Sequence, residues 1–99
     1  MNYQELARAL RVLGLGERAS LAEIRGCYHQ LARRHHPDAG GEDATAIRRV
    51  NAAYRLLTSY CRNYRFCFSQ EEFLEQFPEE RLRQQFSDDP VWGGGNPEG

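Results

Sequence analysis

At 99 residues the chain has the size of one domain, enough for a modest hydrophobic core and too little for a deep, enclosed catalytic cleft. Its basic residues are all arginine, and 13 of them against 14 acidic residues leave a net charge of −1. The odd trio Cys27, Cys61 and Cys67 lacks paired spacing and argues for reduced thiols. Met1 leads straight into polar residues, and no apolar run approaches membrane-spanning length. The expectation is a cytoplasmic protein with no signal peptide and no membrane segment.

The near-neutral total hides an asymmetry. Residues 1–65 hold 11 arginines against 6 acidic residues, a balance of +5, whereas residues 66–99 hold 2 against 8, a balance of −6. Two segments of opposite sign imply two partners, or each other as partners.

In chain order, "YQELARALRVLG" spaces Leu6, Leu10 and Leu13 as one helical face and reaches a stop at Gly14, predicting a helix over 3–13. "SLAEIRGCYHQLARRHH" opens with Ser20 and Glu23, the spacing of a capping box. Leu21, Ile24, Tyr28, Leu31 and His35 recur on one face, so a second helix should run to about residue 35. Pro37 disfavours helical geometry at His36 and ends it. "DAGGEDA" reads as a loop.

"DATAIRRVNAAYRLLTSYCRNY" returns to helix, with a seam of Ile47, Val50, Tyr54, Leu57 and Cys61 broadened by Ala53 and Tyr60. Two striped helices across a short connection pack as an antiparallel hairpin, with the first helix across them. "RFCFS" reads as an extended link. Ser69 and Glu72 form a second capping box, opening a short helix with Phe73, Leu74 and Phe77. Pro78 suits the first position of another helix, "PEERLRQQF". The chain should fray beyond Trp92. The fold class expected is all-α.

The chemistry crowds into "LARRHHPDAGGED". Arg25, His29 and Arg33 fall at i, i+4 and i+8 on one flank of the second helix, with His36 projecting nearby. Pro37 then stops the helix, and the carboxylate of Asp38 beside the glycines can accept a bidentate arginine from a partner. His36 can hydrogen-bond within the loop and hold Asp38 in place.

"LGL", "EIRGCYHQLARRHHPDAGG" and "VNAAYRLL" together resemble a J-domain, the Hsp70-activating module of the DnaJ/Hsp40 family, over about residues 6–60. His36-Pro37-Asp38 is the centre of the resemblance. The amphipathic helix before it, the glycine loop after it and Ala53-Tyr54 in the next helix supply its specificity. The resemblance implies that the His-Pro-Asp loop and the basic face of the second helix dock on an ATP-bound Hsp70 and speed its ATP hydrolysis. It assigns Hsp70 contact to Arg25, Tyr28, His29, Arg33, His36, Pro37 and Asp38. It implies no chemistry, cofactor or metal in the chain itself, and the expected state is a monomer.

The chain departs from the family pattern at His29 and Gln30, where many members carry two basic residues. This lowers the charge of the stripe and places there an imidazole, whose charge varies near neutral pH. The usual basic fourth helix is replaced by the acidic "RFCFSQEEFLEQF". Neither a glycine/phenylalanine-rich linker nor CxxCxGxG repeats follow within these residues. The expected division is a J-domain over 1–63, an acidic aromatic extension over 64–92 packed on or near it, and a tail over 93–99.

Competing readings are weaker on the same residues. Four basic or imidazole side chains at a helix C-terminus complement the helix dipole, but that does not account for the Pro-Asp that follows. Zinc is disfavoured because no C-x₂₋₄-C pair exists. An acid–base enzyme using His36 and Asp38 lacks a cleft and a third polar group. Arg48, Arg49 and Arg55 would suit a small nucleic-acid-binding domain, but the acidic C-terminal third opposes it. A J-like scaffold that no longer stimulates an Hsp70 is opposed by the intact His-Pro-Asp.

Overall fold

The structure is a computed structural model and describes residues 1–35 and 44–87. Among them are five helices: α1 Tyr3–Leu13, α2 Leu21–Arg34, α3 Ala44–Arg62, α4 Gln70–Gln76 and α5 Pro78–Ser87. No strand occurs among the described residues, so the chain is all-α. The chain divides into two units, Met1–Tyr64 and Arg65–Gly99.

Local chemistry sets each helix end in the first unit. Asn2 caps α1: its Oδ1 accepts from the Glu5 N–H at 2.8 Å, and Glu5 reaches back to the Asn2 N–H at 3.3 Å. At the other end Gly14 adopts φ 73°, ψ 29°, a left-handed conformation that costs glycine nothing. The Gly14 N–H bonds the Arg11 carbonyl at 3.0 Å and the Leu15 N–H bonds that of Leu10 at 2.8 Å. These two bonds satisfy carbonyls that a helix end would otherwise leave orphaned.

The capping box read from Ser20 and Glu23 forms. Ser20 Oγ accepts from the Glu23 N–H at 3.1 Å, and the Ser20 N–H donates to Glu23 Oε1 at 2.8 Å. Hydrogen bonding to the carboxyl, from the Ser20 backbone first and its side chain second, holds Glu23 below the ordinary carboxylate value. At the C-terminus, α2 ends at Arg34, and the His35 N–H still bonds the Leu31 carbonyl at 3.0 Å. Only nine residues separate Arg34 from Ala44, and α2 and α3 pack against each other as a hairpin. α1 packs chiefly on α3 and more lightly on α2.

The core gathers Ala9 and Leu13 of α1, Ile24 of α2, and Val50, Ala53 and Leu57 of α3. Half of the buried set comes from α3, which therefore acts as the spine. The helical seams place Leu13, Ile24, Val50 and Leu57 correctly. Two seam positions differ: Leu21 is 41% and Tyr60 42% exposed. Both sit at helix ends, beyond the reach of the neighbouring helices, and Tyr60 packs its ring on Tyr64 at 5.8 Å instead. Ala53 is fully inside because close helix approach favours a small side chain there.

The second unit, over its described residues, is a stretch without helix or strand followed by α4 and α5. Phe66 and Phe68 lie in that stretch, and Phe68 is 93% exposed. Ser69 caps α4 by accepting from the Glu72 N–H at 3.1 Å. The expected reciprocal half of this box is replaced, because the Glu72 carboxylate accepts from the Gln76 amide at 3.0 Å. Phe77 is the cap after α4 rather than a member of it, and Pro78 opens α5 as expected. A Gln70–Gln84 hydrogen bond of 3.1 Å and a Glu75–Arg81 ion pair of 2.8 Å link α4 to α5 and its first turns. No side chain within 65–86 is buried. Exposed polar links of this kind add little stability, so this unit should open at lower free energy than the first.

Two outcomes test this account. Leu57→Ala removes the most buried side chain of the spine and should lower the unfolding free energy by about 2–5 kcal/mol, read by urea denaturation. Ser20→Ala should cost about 0.5–2 kcal/mol. The Glu23 half of the box has a pH signature. Because its carboxyl titrates lower in the folded chain, its contribution is complete above the unfolded value of about 4.3 and is lost as pH falls through the folded value. Glu23→Gln should flatten that acid limb in a pH series of melting curves.

Candidate functional site

The face of α2 carries the first candidate set. Arg25, His29 and Arg33 are all exposed and stand one turn apart on the same helix. The structure therefore brings these three together as a solvent-facing stripe. Neither arginine pairs with a carboxylate among the described residues. Arg33 and Arg34 occupy the last turn, where positive charge complements the helix dipole. His35 is half-buried at the cap, consistent with a place on the core edge. His36, Pro37 and Asp38 lie outside the described residues, as does the glycine loop after them.

Tyr28 stands apart from the arginine stripe. Its ring stacks on Tyr54 of α3 with centroids 4.0 Å apart and planes 10° from parallel. Its hydroxyl donates to Asn51 Oδ1 at 2.9 Å. The His29 ring centroid lies 5.5 Å from that of Tyr28, with the planes tilted by 56°. A single aromatic side chain thus ties the exposed stripe to the spine helix. A stacked pair contributes about 0.5–1.5 kcal/mol beyond area burial, and the hydrogen bond fixes the rotation of α2 about its own axis. Asn51 is not among the residues singled out from the sequence. Its signal was the position three residues before Tyr54, on the same flank of α3.

Among the described residues no three His, Cys, Asp or Glu side chains converge. Cys27 and Cys61 are half-buried and Cys67 is exposed, all as thiols. Among the described residues no helix is long and apolar enough to cross a membrane.

The dual role of Tyr28 is testable. Tyr28→Phe removes only the hydrogen bond to Asn51 and should destabilise the first unit by about 0.5–1.5 kcal/mol. Asn51→Ala combined with Tyr28→Phe should cost less than the two single changes added together, which a double-mutant cycle measures.

Comparison with known proteins agrees with this arrangement. The DnaJ domain family model matches residues 8–64, from within α1 to just past the end of α3. An uncharacterized 19.0 kDa protein in the cobS 5′ region of Sinorhizobium sp is 44% identical over 54 residues, covering 52% of this chain and 32% of that protein. The mouse DnaJ homolog subfamily C member 28 is 37% identical over 59 residues, 58% of this chain and 15% of its own length. The chaperone protein DnaJ of Ruminiclostridium cellulolyticum is 38% identical over 58 residues, 56% of this chain and 15% of its own. The chain thus spans a third or less of the length of these relatives. No solved structure gives a match. With the family match covering more than half of the sequence and coinciding with the three packed helices, the chain belongs to the DnaJ-domain family.

Proposed function

We propose that this chain is a J-domain co-chaperone that docks on an Hsp70 of the DnaK type and stimulates its ATP hydrolysis. The observation that carries the reading is the coincidence of the family match with an α2 that presents Arg25, His29 and Arg33 to solvent just before His36-Pro37-Asp38. In this reading the stripe meets an acidic surface of the Hsp70. Tyr28 contributes its outer edge while its hydroxyl holds α2 on α3. Asp38 accepts a partner arginine, and His36 and Pro37 hold it in place. The chain performs no chemistry and needs no cofactor of its own; ATP and magnesium belong to the partner.

Stimulation then means that the docked complex favours the Hsp70 conformation competent for hydrolysis. A ligand shifts such an equilibrium only by its differential affinity for the two states. The working organisation is a J-domain over residues 1–63, an extension over 64–92 and a tail over 93–99, acting as a monomer in the cytoplasm.

Single-turnover ATP hydrolysis by a bacterial DnaK-type chaperone tests the reading. Wild-type protein should accelerate hydrolysis. His36→Gln and Asp38→Asn should each abolish the acceleration with unchanged helicity and melting. Arg25→Ala and Arg33→Ala should weaken it and reduce its salt dependence, since exposed charge pairs are screened. Full stimulation by either loop variant would end the J-domain reading and leave a scaffold that binds without activating.

A further inference from the structure

α3, which supplies half of the buried set, has a second flank that the proposed docking face does not use. Ala9 and Val12 of α1 and Ala53 and Leu56 of α3 line an open groove between the two helices. Arg8 stands on one side of it and Arg49 on the other, and both are exposed. Neither arginine pairs with a carboxylate among the described residues. Glu5 also borders the groove on the α1 side, and its carboxylate, which accepts from the Asn2 N–H at the α1 cap, keeps its negative charge. The groove is thus apolar along its floor, with two unneutralised guanidinium groups on its rims.

Its place on α3 separates it from the stripe. Leu56 lies about 200° around the helix from Tyr54, at 100° per residue, and Tyr54 is the residue that holds α2. A helix lying between α1 and α3 would leave Arg25, His29 and Arg33 uncovered.

We infer that this groove is a docking site for an acidic amphipathic helix of a partner protein. Two features of the groove select that occupant. The floor is an open apolar depression between two helices, suited to apolar side chains from one face of a helix. The borders carry two arginines against the one carboxylate of Glu5, a net positive charge, so carboxylates flanking that apolar face have Arg8 on one side and Arg49 on the other to meet. Arginine forks bind carboxylates in bidentate fashion, which adds register to charge attraction. The balance of +5 over residues 1–65 steers the same class of partner toward this unit. A basic helix would bury its charge against like charge and is rejected. The site is distinct from the proposed Hsp70 contact and does not depend on it. It gives the chain a means of holding a partner while the α2 face is engaged.

The experiment uses the full chain and a synthetic helical peptide of about 16 residues, with leucines on one face and glutamates on both flanks. Backbone amide shifts and peptide fluorescence anisotropy report binding. The expected result is saturable binding that moves the amides around Arg8, Val12, Arg49, Ala52 and Leu56 and spares those around Arg25 and His29. The same peptide with lysines for glutamates should bind at least tenfold more weakly. Arg8→Glu and Arg49→Glu change exposed side chains, and each should weaken the acidic peptide about tenfold, an effect that shrinks with added salt. Ala52→Glu places a carboxylate on the exposed edge of the groove and should weaken it likewise, with unchanged circular dichroism. Equal affinity for the acidic and basic peptides, no binding of either, or shifts centred on the α2 arginines would each overturn the proposal. Undiminished binding by the Arg8→Glu, Arg49→Glu double variant would overturn it as well. Hsp70 stimulation is a separate readout, so failure of this site and failure of the co-chaperone reading are told apart.

Discussion

The packing of α3 into the angle between α1 and α2 is the constraint on which the first unit rests. Val50, Ala53 and Leu57 lie on one side of that helix and touch the apolar faces of both neighbours. Six buried side chains among the described residues make a small core, so each carries a large share of a marginal stability. α1 and α2 touch each other less than either touches α3. Their relative orientation is therefore set through α3. Side chains on its two flanks, Tyr54 and Asn51 toward α2 and Arg49 and Leu56 toward α1, acquire their neighbours from that arrangement.

The caps complete what so small a core leaves undone. Asn2 with Glu5, Gly14 with Leu15 and Ser20 with Glu23 satisfy backbone groups at three of the helix ends. Each uses hydrogen bonds between residues close in sequence, so the ends form without long-range contacts. This economy leaves the exposed face of α2 free of structural duty. Arginines at 25 and 33 can then serve a partner, since no carboxylate of the described chain neutralises them. Tyr28 is the exception, with its ring stacked on Tyr54, its hydroxyl bonded to Asn51 of α3, and His29 beside it.

The second unit shows the opposite balance. α4 and α5 are held by a hydrogen bond between side-chain amides and one exposed ion pair, with a second ion pair inside α5, and Phe73 and Phe77 contact each other at 5.0 Å while each stays 47% exposed. Helices of 7 and 10 residues fall below the length at which isolated helices persist in water. The family match ends at residue 64, so the composition of this segment is a property of this chain rather than of the domain it follows.

Helix boundaries were legible in the chain alone because caps and stops act over three or four residues. Ser20 with Glu23, Gly14 and Pro78 each mark an end at which the structure places one. The exposed spacing of Arg25, His29 and Arg33 was legible for the same reason, as a consequence of 3.6 residues per turn. His36-Pro37-Asp38 was legible as a pattern, though its geometry lies outside the described residues. Periodicity could assign Tyr28 and Tyr54 to apolar faces but could not pair them, nor show that Asn51 would take the hydroxyl. It could not tell that Ala53 would lie inside while Tyr60 stayed out, or that Arg8 and Arg49 would flank one groove. Those outcomes depend on how far each helix extends past its neighbours and at what rotation it packs. That information belongs to contacts between residues far apart in the chain, and only the packed three-helix unit settles it.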